Sequence, residues 1–227
     1  MKHFRKCGAP TLRAVAIALL IVLSPLAVAR HHTHAAAAIN VPGHFDYYLL
    51  ALSWSPSYCI VHPADRNQCQ GRGFGFVLHG LWPQFNDGGY PQQCATNIDV
   101  DRAAEDLGRT LYPSPQLMRH EWERHGTCSG LDPLGYFRTA DRATAVLHIP
   151  AIFAAPRAAQ HLAPSQILAA FSAANPALPP HAMTVDCSRN ELSEVRLCLT
   201  QGLLPRPCGR GVRDSCPSTP VLVRAAR

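Results

Sequence analysis

Eight cysteines spread over residues 59–216 constrain this chain more than any other feature. Cys59, Cys69, Cys94, Cys128, Cys187, Cys198, Cys208 and Cys216 can close four disulfides, although their spacing alone leaves the connectivity open. Zinc is the poorer reading, because no C-x-x-C pair and no closely spaced Cys/His cluster is present. A disulfide framework belongs to an oxidising compartment, and the N-terminus agrees. Lys2, Arg5, Lys6 and Arg13 form a basic region, and Ala14 to Ala29 is apolar apart from Ser24 and Pro25. That run is shorter than the roughly 20 residues a spanning helix needs, so it reads as a secretory signal. Cleavage is expected after Ala29 or within residues 35–38, giving a leader over 1–38 that includes Cys7 and a domain over 39–227. The expected destination is periplasmic or secreted, with no membrane attachment once the leader is removed.

The formal charge of +6 suggests a nucleic-acid partner, but most of it belongs to the leader. Five of the 21 basic residues lie in the first thirty, and the remaining 16 nearly balance the 15 acidic ones. Charge therefore does not identify the partner. With 47% hydrophobic and 16% charged residues, the chain folds rather than stays disordered.

Residues 45–54 read as a buried strand that stops at Pro56. Residues 74–79 alternate, with Phe74, Phe76 and Leu78 on one face and Val77 and His79 on the other, and His79 is expected to leave the strand into a Gly/Pro-rich turn. Residues 192–199 set Val195, Leu197 and Leu199 against Glu194 and Arg196. Helices are expected over 101–111, 115–125, 133–146 and 165–174, the last N-capped by Ser165. Strands at both ends with helices between them predict an α+β fold, an antiparallel sheet with helices packed against it in one disulfide-stapled domain.

The densest reactive cluster is His120-Glu121-Trp122-Glu123-Arg124-His125. A zinc-protease helix needs histidines at i and i+4. These stand at i and i+5, about 140° apart around a helix, and cannot chelate one ion. The same wheel places His120, Arg124, Glu121 and His125 on one arc, with Trp122 on the far side facing the core. Two imidazoles, a carboxylate and a guanidinium on one face can hold a phosphate and move a proton. A second segment, His79-Gly80-Leu81-Trp82-Pro83-Gln84, adds another imidazole and an indole on which a base can stack. A serine hydrolase is disfavoured, since no G-x-S-x-G turn occurs. His44, His62, His148, His161 and His181 have no reactive neighbours and read as surface or structural.

Three segments, FDYYLLALSWSPSYC (45–59), FVLHGLWPQ (76–84) and HEWERHGTC (120–128), resemble the signatures of the ribonuclease T2 family. They contain all three tryptophans of the chain. Weaker echoes at Tyr136-Phe137, 171–176 and 194–199 extend the likeness from about residue 45 to 199. The resemblance implies a metal-free, cofactor-free endoribonuclease acting on single-stranded RNA through a 2′,3′-cyclic phosphate. His125 would be the general base and His79 the general acid. His120 would bind phosphate, with Glu121 and Arg124 steadying its charge. Trp82 would stack the base beside Tyr90, and Gln84 would bond the base edge. Arg124 stands where the family usually has lysine, in keeping with a chain that has no lysine beyond Lys6. The resemblance further implies the pairs Cys59–Cys69, Cys94–Cys128, Cys187–Cys216 and Cys198–Cys208, a monomer, and no cleavage of DNA. The alternative is an exported RNA-binding or defence protein on the same fold that has lost catalysis, which the intact set His79, His120, Glu121 and His125 disfavours.

Overall fold

Strand β1 (Tyr47–Trp54) has eight residues with no Gly, Pro or charge, and both of its faces are covered. The structure, a computed structural model, describes residues 40–95, 99–154 and 156–226. The expected leader lies outside the described residues. After β1 come α1 (Ser55–Val61), α2 (Arg66–Cys69), β2 (Phe76–Gln84), α3 (Arg102–Leu111), α4 (Pro115–Arg124), α5 (Pro133–Thr144) and α6 (Ala151–Ala154). The chain then forms β3 (Gln160–Leu162), α7 (Pro164–Ala174), β4 (Met183–Ser188), β5 (Glu191–Thr200) and β6 (Val221–Val223).

The fold is α+β, as the order of elements implies. One sheet runs β2-β1-β5-β6-β3, with β4 also paired to β5. It is mixed rather than wholly antiparallel, because β6 meets β5 in parallel at Glu191 and Leu222. The connection over 201–220 exceeds the roughly dozen residues that a parallel return requires. The first face of the sheet carries Tyr48, Leu50, Leu52 and Trp54 from β1, Leu78 and Leu81 from β2, and Val195, Leu197 and Leu199 from β5. Against it pack Met118 and Trp122 of α4, Tyr136 and Phe137 of α5, and Ile167 and Phe171 of α7. The second face holds Tyr47, Leu49 and Cys198, over which lie Trp82, Cys208 and Val212.

Helix starts follow local chemistry. Asp101, Ser114 and Asp132 accept from the N–H groups of Ala104, Leu117 and Gly135, and Pro115 and Pro133 open the helices behind the last two. The expected cap at Ser165 is corrected: Pro164 already occupies the first turn, Ala163 is the cap, and Gln166 accepts from its N–H. Proline's fixed φ moves the start forward.

The four disulfides join Cys59 to Cys69, Cys94 to Cys128, Cys187 to Cys216 and Cys198 to Cys208. The second ties the segment after β2 to the turn that follows α4, where Gln93 N–H also donates to the Arg124 carbonyl. Removing it as Cys94→Ala/Cys128→Ala frees a loop of 34 residues' separation. Chain entropy gives that closure about 4 kcal/mol. The expected fall in Tm is roughly 8–16 °C for a domain of this size, read by thermal circular dichroism. A shift within about 2 °C would mean the hydrogen bonds hold the segment without the bond.

Candidate active site

Strand β2 does not stop at His79. It runs on to Gln84, and its register against β1 slips by one residue on the way: Leu78 faces Leu52 and Gly80 faces Ala51, so His79 has no opposite number. The expectation of a turn after His79 is thereby corrected to a β-bulge within an edge strand. Pro83 is tolerated there because an edge strand has one unpaired side. The bulge keeps Leu78 and Leu81 in the first face and brings His79, Gly80 and Trp82 together on the second.

Helix α4 supplies the other half. Glu121 and Trp122 are both buried, and Trp122 enters the core as its place on the wheel implied. His125 is the C-cap, its N–H still donates to the Glu121 carbonyl at 3.0 Å, and it is 6% exposed. His120 stays exposed on the helix.

These elements meet around one indole. Trp82 Nε1–H donates to Glu121 Oε2 at 2.6 Å. The His79 ring stands edge-on to Trp82 with centroids 5.0 Å apart, and the His125 ring lies 5.2 Å from it at a 31° tilt. Tyr90 lies 5.7 Å from His125, and its hydroxyl accepts from Arg124 Nη2 at 3.4 Å. Gly80 is the contact point, since a Cβ there would come within 2.1 Å of both Glu121 Oε2 and Trp82 Nε1. Gln84 is buried, and its amide donates to the Pro83 carbonyl. Among the described residues, no three His, Cys, Asp or Glu side chains converge in a metal-ligand cluster.

The two imidazoles sit in opposite electrostatic settings. His125 is driven down to about 3 by burial, helped by the charges of Arg124, His120 and His79. Its Nδ1 is buried and finds no partner among the described residues. Burial also pulls His79 down, but the hydrogen bond and charge of Glu194, with Glu121 behind them, outweigh it and leave its pKa raised. His79 Nδ1–H donates to Glu194 Oε1 at 2.5 Å, while Nε2 faces Glu121 Oε1 at 3.8 Å. Glu121 is raised to about 7, chiefly by burial.

Glu194 was not among the residues singled out above. Its signal was its place on the polar side of an alternating strand. That side is closed here, and Glu194 is 6% exposed.

Residues 45–208 match the model of the Ribonuclease T2 family. The chain therefore belongs to the ribonuclease T2 family. A protein described as "Ribonuclease" from Aeromonas hydrophila is 50% identical over 121 residues, covering 53% of this chain and 55% of that protein. The matched stretch thus spans little more than half of that relative's length. "Ribonuclease DdI" of Dictyostelium discoideum is 29% identical over 179 residues, covering 72% of this chain and 77% of that one. Among solved structures, RNase NT in complex with 5′-AMP superposes with a TM-score of 0.58 at 22% identity, covering 78% of this chain and 97% of that one. At that identity the likeness concerns the fold.

Gly80→Ala tests the central contact. The added methyl overlaps the carboxylate and the indole, so the Trp82–Glu121 bond should break and stability should fall by about 1–3 kcal/mol. Denaturant unfolding and the indole N–H resonance of Trp82 read the two effects. A variant as stable as the parent with that resonance unmoved would place the carboxylate elsewhere.

Proposed function

We propose that the protein is an exported, monomeric endoribonuclease that cleaves single-stranded RNA in two steps without a metal or other cofactor. The carrying observation is the pair of imidazoles on one indole, one with its pKa pushed down and the other with its pKa raised by their surroundings. Environments that push two titratable groups apart mark an acid and a base.

In the first step His125 takes the proton of the 2′-hydroxyl, and the 2′-oxygen forms a bond to the adjacent phosphorus. The bond from phosphorus to the 5′-oxygen breaks, and His79 delivers its proton to that leaving oxygen. A 2′,3′-cyclic phosphate remains. In the second step the roles reverse: His79 activates water, His125 protonates the departing 2′-oxygen, and a 3′-phosphate results. DNA lacks the nucleophile and is not cut.

Charge grows on the phosphoryl oxygens between the two rings, and preplaced donors stabilise it. His120 and Arg124 serve from the exposed side of α4. Glu121 serves from the buried side: below about 7 it is a neutral acid. Its Oε2 is engaged by Trp82, which leaves Oε1, on the side of His79, to meet the phosphate. Trp82 and Tyr90 form the walls for the base. A bond from the buried Gln84 amide to a base edge would require it to leave Pro83. The nucleotide in the RNase NT complex supports this fold as a nucleotide binder, and the four disulfides suit an exported chain. Among the described residues, no helix is long and apolar enough to cross a membrane.

Defined dinucleotides give the test. His79→Ala and His125→Ala should each lower kcat/KM by about 10²–10⁴, and a chelator should change nothing. The sign of the pH dependence follows from the two rings. The base is competent once pH exceeds about 3. The acid and the Glu121 proton are lost as pH rises through the raised value of His79 and about 7. Activity should therefore be high on the acid side of neutrality and fall above it. A rate flat from about pH 4 to 9 would count against two-histidine catalysis, as would digestion by both alanine variants at the parent rate.

A further inference from the structure

The His79 side chain is 36% exposed and helps line a cavity of about 290 Å³ with Ser53, Tyr58, Val61, Arg189, Glu194 and other residues. Behind the ring stands a chain of charged groups that the mechanism above does not use. Glu194 accepts from His79 Nδ1–H through Oε1 and from Arg196 Nε through Oε2 at 2.6 Å. Arg196 reaches in turn to Asp186 Oδ2 at 3.0 Å, and its guanidinium lies 5.7 Å from the centroid of the Trp82 ring. The pleat explains the grouping. Glu194 faces Ser53 and Asp186, and Arg196 faces Ala51, so all share the second face with the bulged His79.

We propose that Glu194 is a positioning residue for His79. By accepting from Nδ1–H it fixes the tautomer and the ring plane, so that Nε2 carries the transferable proton toward Glu121 and the scissile phosphate. Arg196 holds that carboxylate ionised and aimed, braced by Asp186. The proposal rests on the assignment of His79 as the general acid.

An ionised carboxylate can only accept, which settles where the ring proton on that side must lie. The groups facing His79 are Glu194 and Arg196 on β5, Glu121 and the capping His125 on α4, and the Trp82 indole on β2. Tyr58, Glu191 and Arg189 line the cavity beside it. Of these, Glu194 alone touches Nδ1. It is nearly full burial that makes the contact effective, because little water competes for either oxygen.

The first measurement needs no substitution. In ¹⁵N-histidine spectra of the oxidised protein, His79 should keep Nδ1 protonated while Nε2 titrates above the ordinary histidine range. A neutral form protonated on Nε2, or titration below that range, would overturn the proposal. In Glu194→Gln the side chain keeps its shape and an acceptor oxygen but loses its charge. The alkaline limb of kcat should then move about one pH unit toward acid, with kcat lowered about tenfold and KM little changed. Glu194→Ala should cost more, and the double variant with His79→Ala should be no slower than His79→Ala alone. An unmoved pH limb in a folded Glu194→Gln variant, or additive losses in the double variant, would refute it. If His79→Ala itself cleaved RNA normally, the reading of His79 as acid would fail; if only the Glu194 variants were silent, this inference alone would fail.

Discussion

His79 and Trp82 are three residues apart on one strand, and in a regular strand an odd spacing sends two side chains to opposite faces. Everything at the site depends on the single extra residue that breaks this rule. With Leu78 opposite Leu52 and Gly80 opposite Ala51, the strand resets its alternation at His79. Leu78 and Leu81 both remain in the main core, while the imidazole and the indole emerge side by side. The bulge also turns Gly80 toward α4, where the missing side chain leaves room for the Glu121 carboxylate. One inserted residue therefore fixes the imidazole, the indole and the seat of the buried carboxylate together.

The helix end imposes the second asymmetry. A histidine at a helix C-terminus normally gains from the dipole, by roughly 0.3–1 kcal/mol when exposed. Each pKa unit corresponds to about 1.4 kcal/mol, so that gain is small against the fall of His125 to about 3. Burial beside Arg124, with no acceptor on Nδ1, decides the outcome. His79 is only partly buried, lies between two carboxylates and moves the other way. Two rings of one chemistry, each about 5 Å from the same indole, are thus separated by burial at His125 and by the carboxylates beside His79.

Much of this was legible in the sequence. The long apolar run became β1, the alternating segment became β5, and the four expected helices appear within a residue or two at most boundaries. These signals are local: periodicity, caps and prolines. What escaped was non-local. Nothing in 76–84 announces a bulge, because the residue that defines it is the one lacking a partner on another strand. The strands β3 and β6 have three residues each, too few for a period to register. The helical wheel aligned His120, Glu121, Arg124 and His125 on one arc, but it could not say that His120 stays exposed while Glu121 and His125 are buried.

Glu194 and Arg196 show the limit most clearly. Alternation separates the two faces of a strand and correctly placed both residues opposite Val195 and Leu197. It does not say whether the polar face meets water. Here distant pieces cover it. Gly209 and Val212 of the tail pack over Tyr47 and Leu49, held by the Cys198–Cys208 bond. Ser215 bonds the edge of β4 next to Cys187, which is tied to Cys216. A carboxylate taken out of water by such covering is tolerated only when both oxygens are satisfied. Arg196 answers one and the His79 ring answers the other. The cysteines that constrain the fold thus also bear on the site, because they help close the face on which an ionised glutamate has an imidazole as one of its two hydrogen-bond donors.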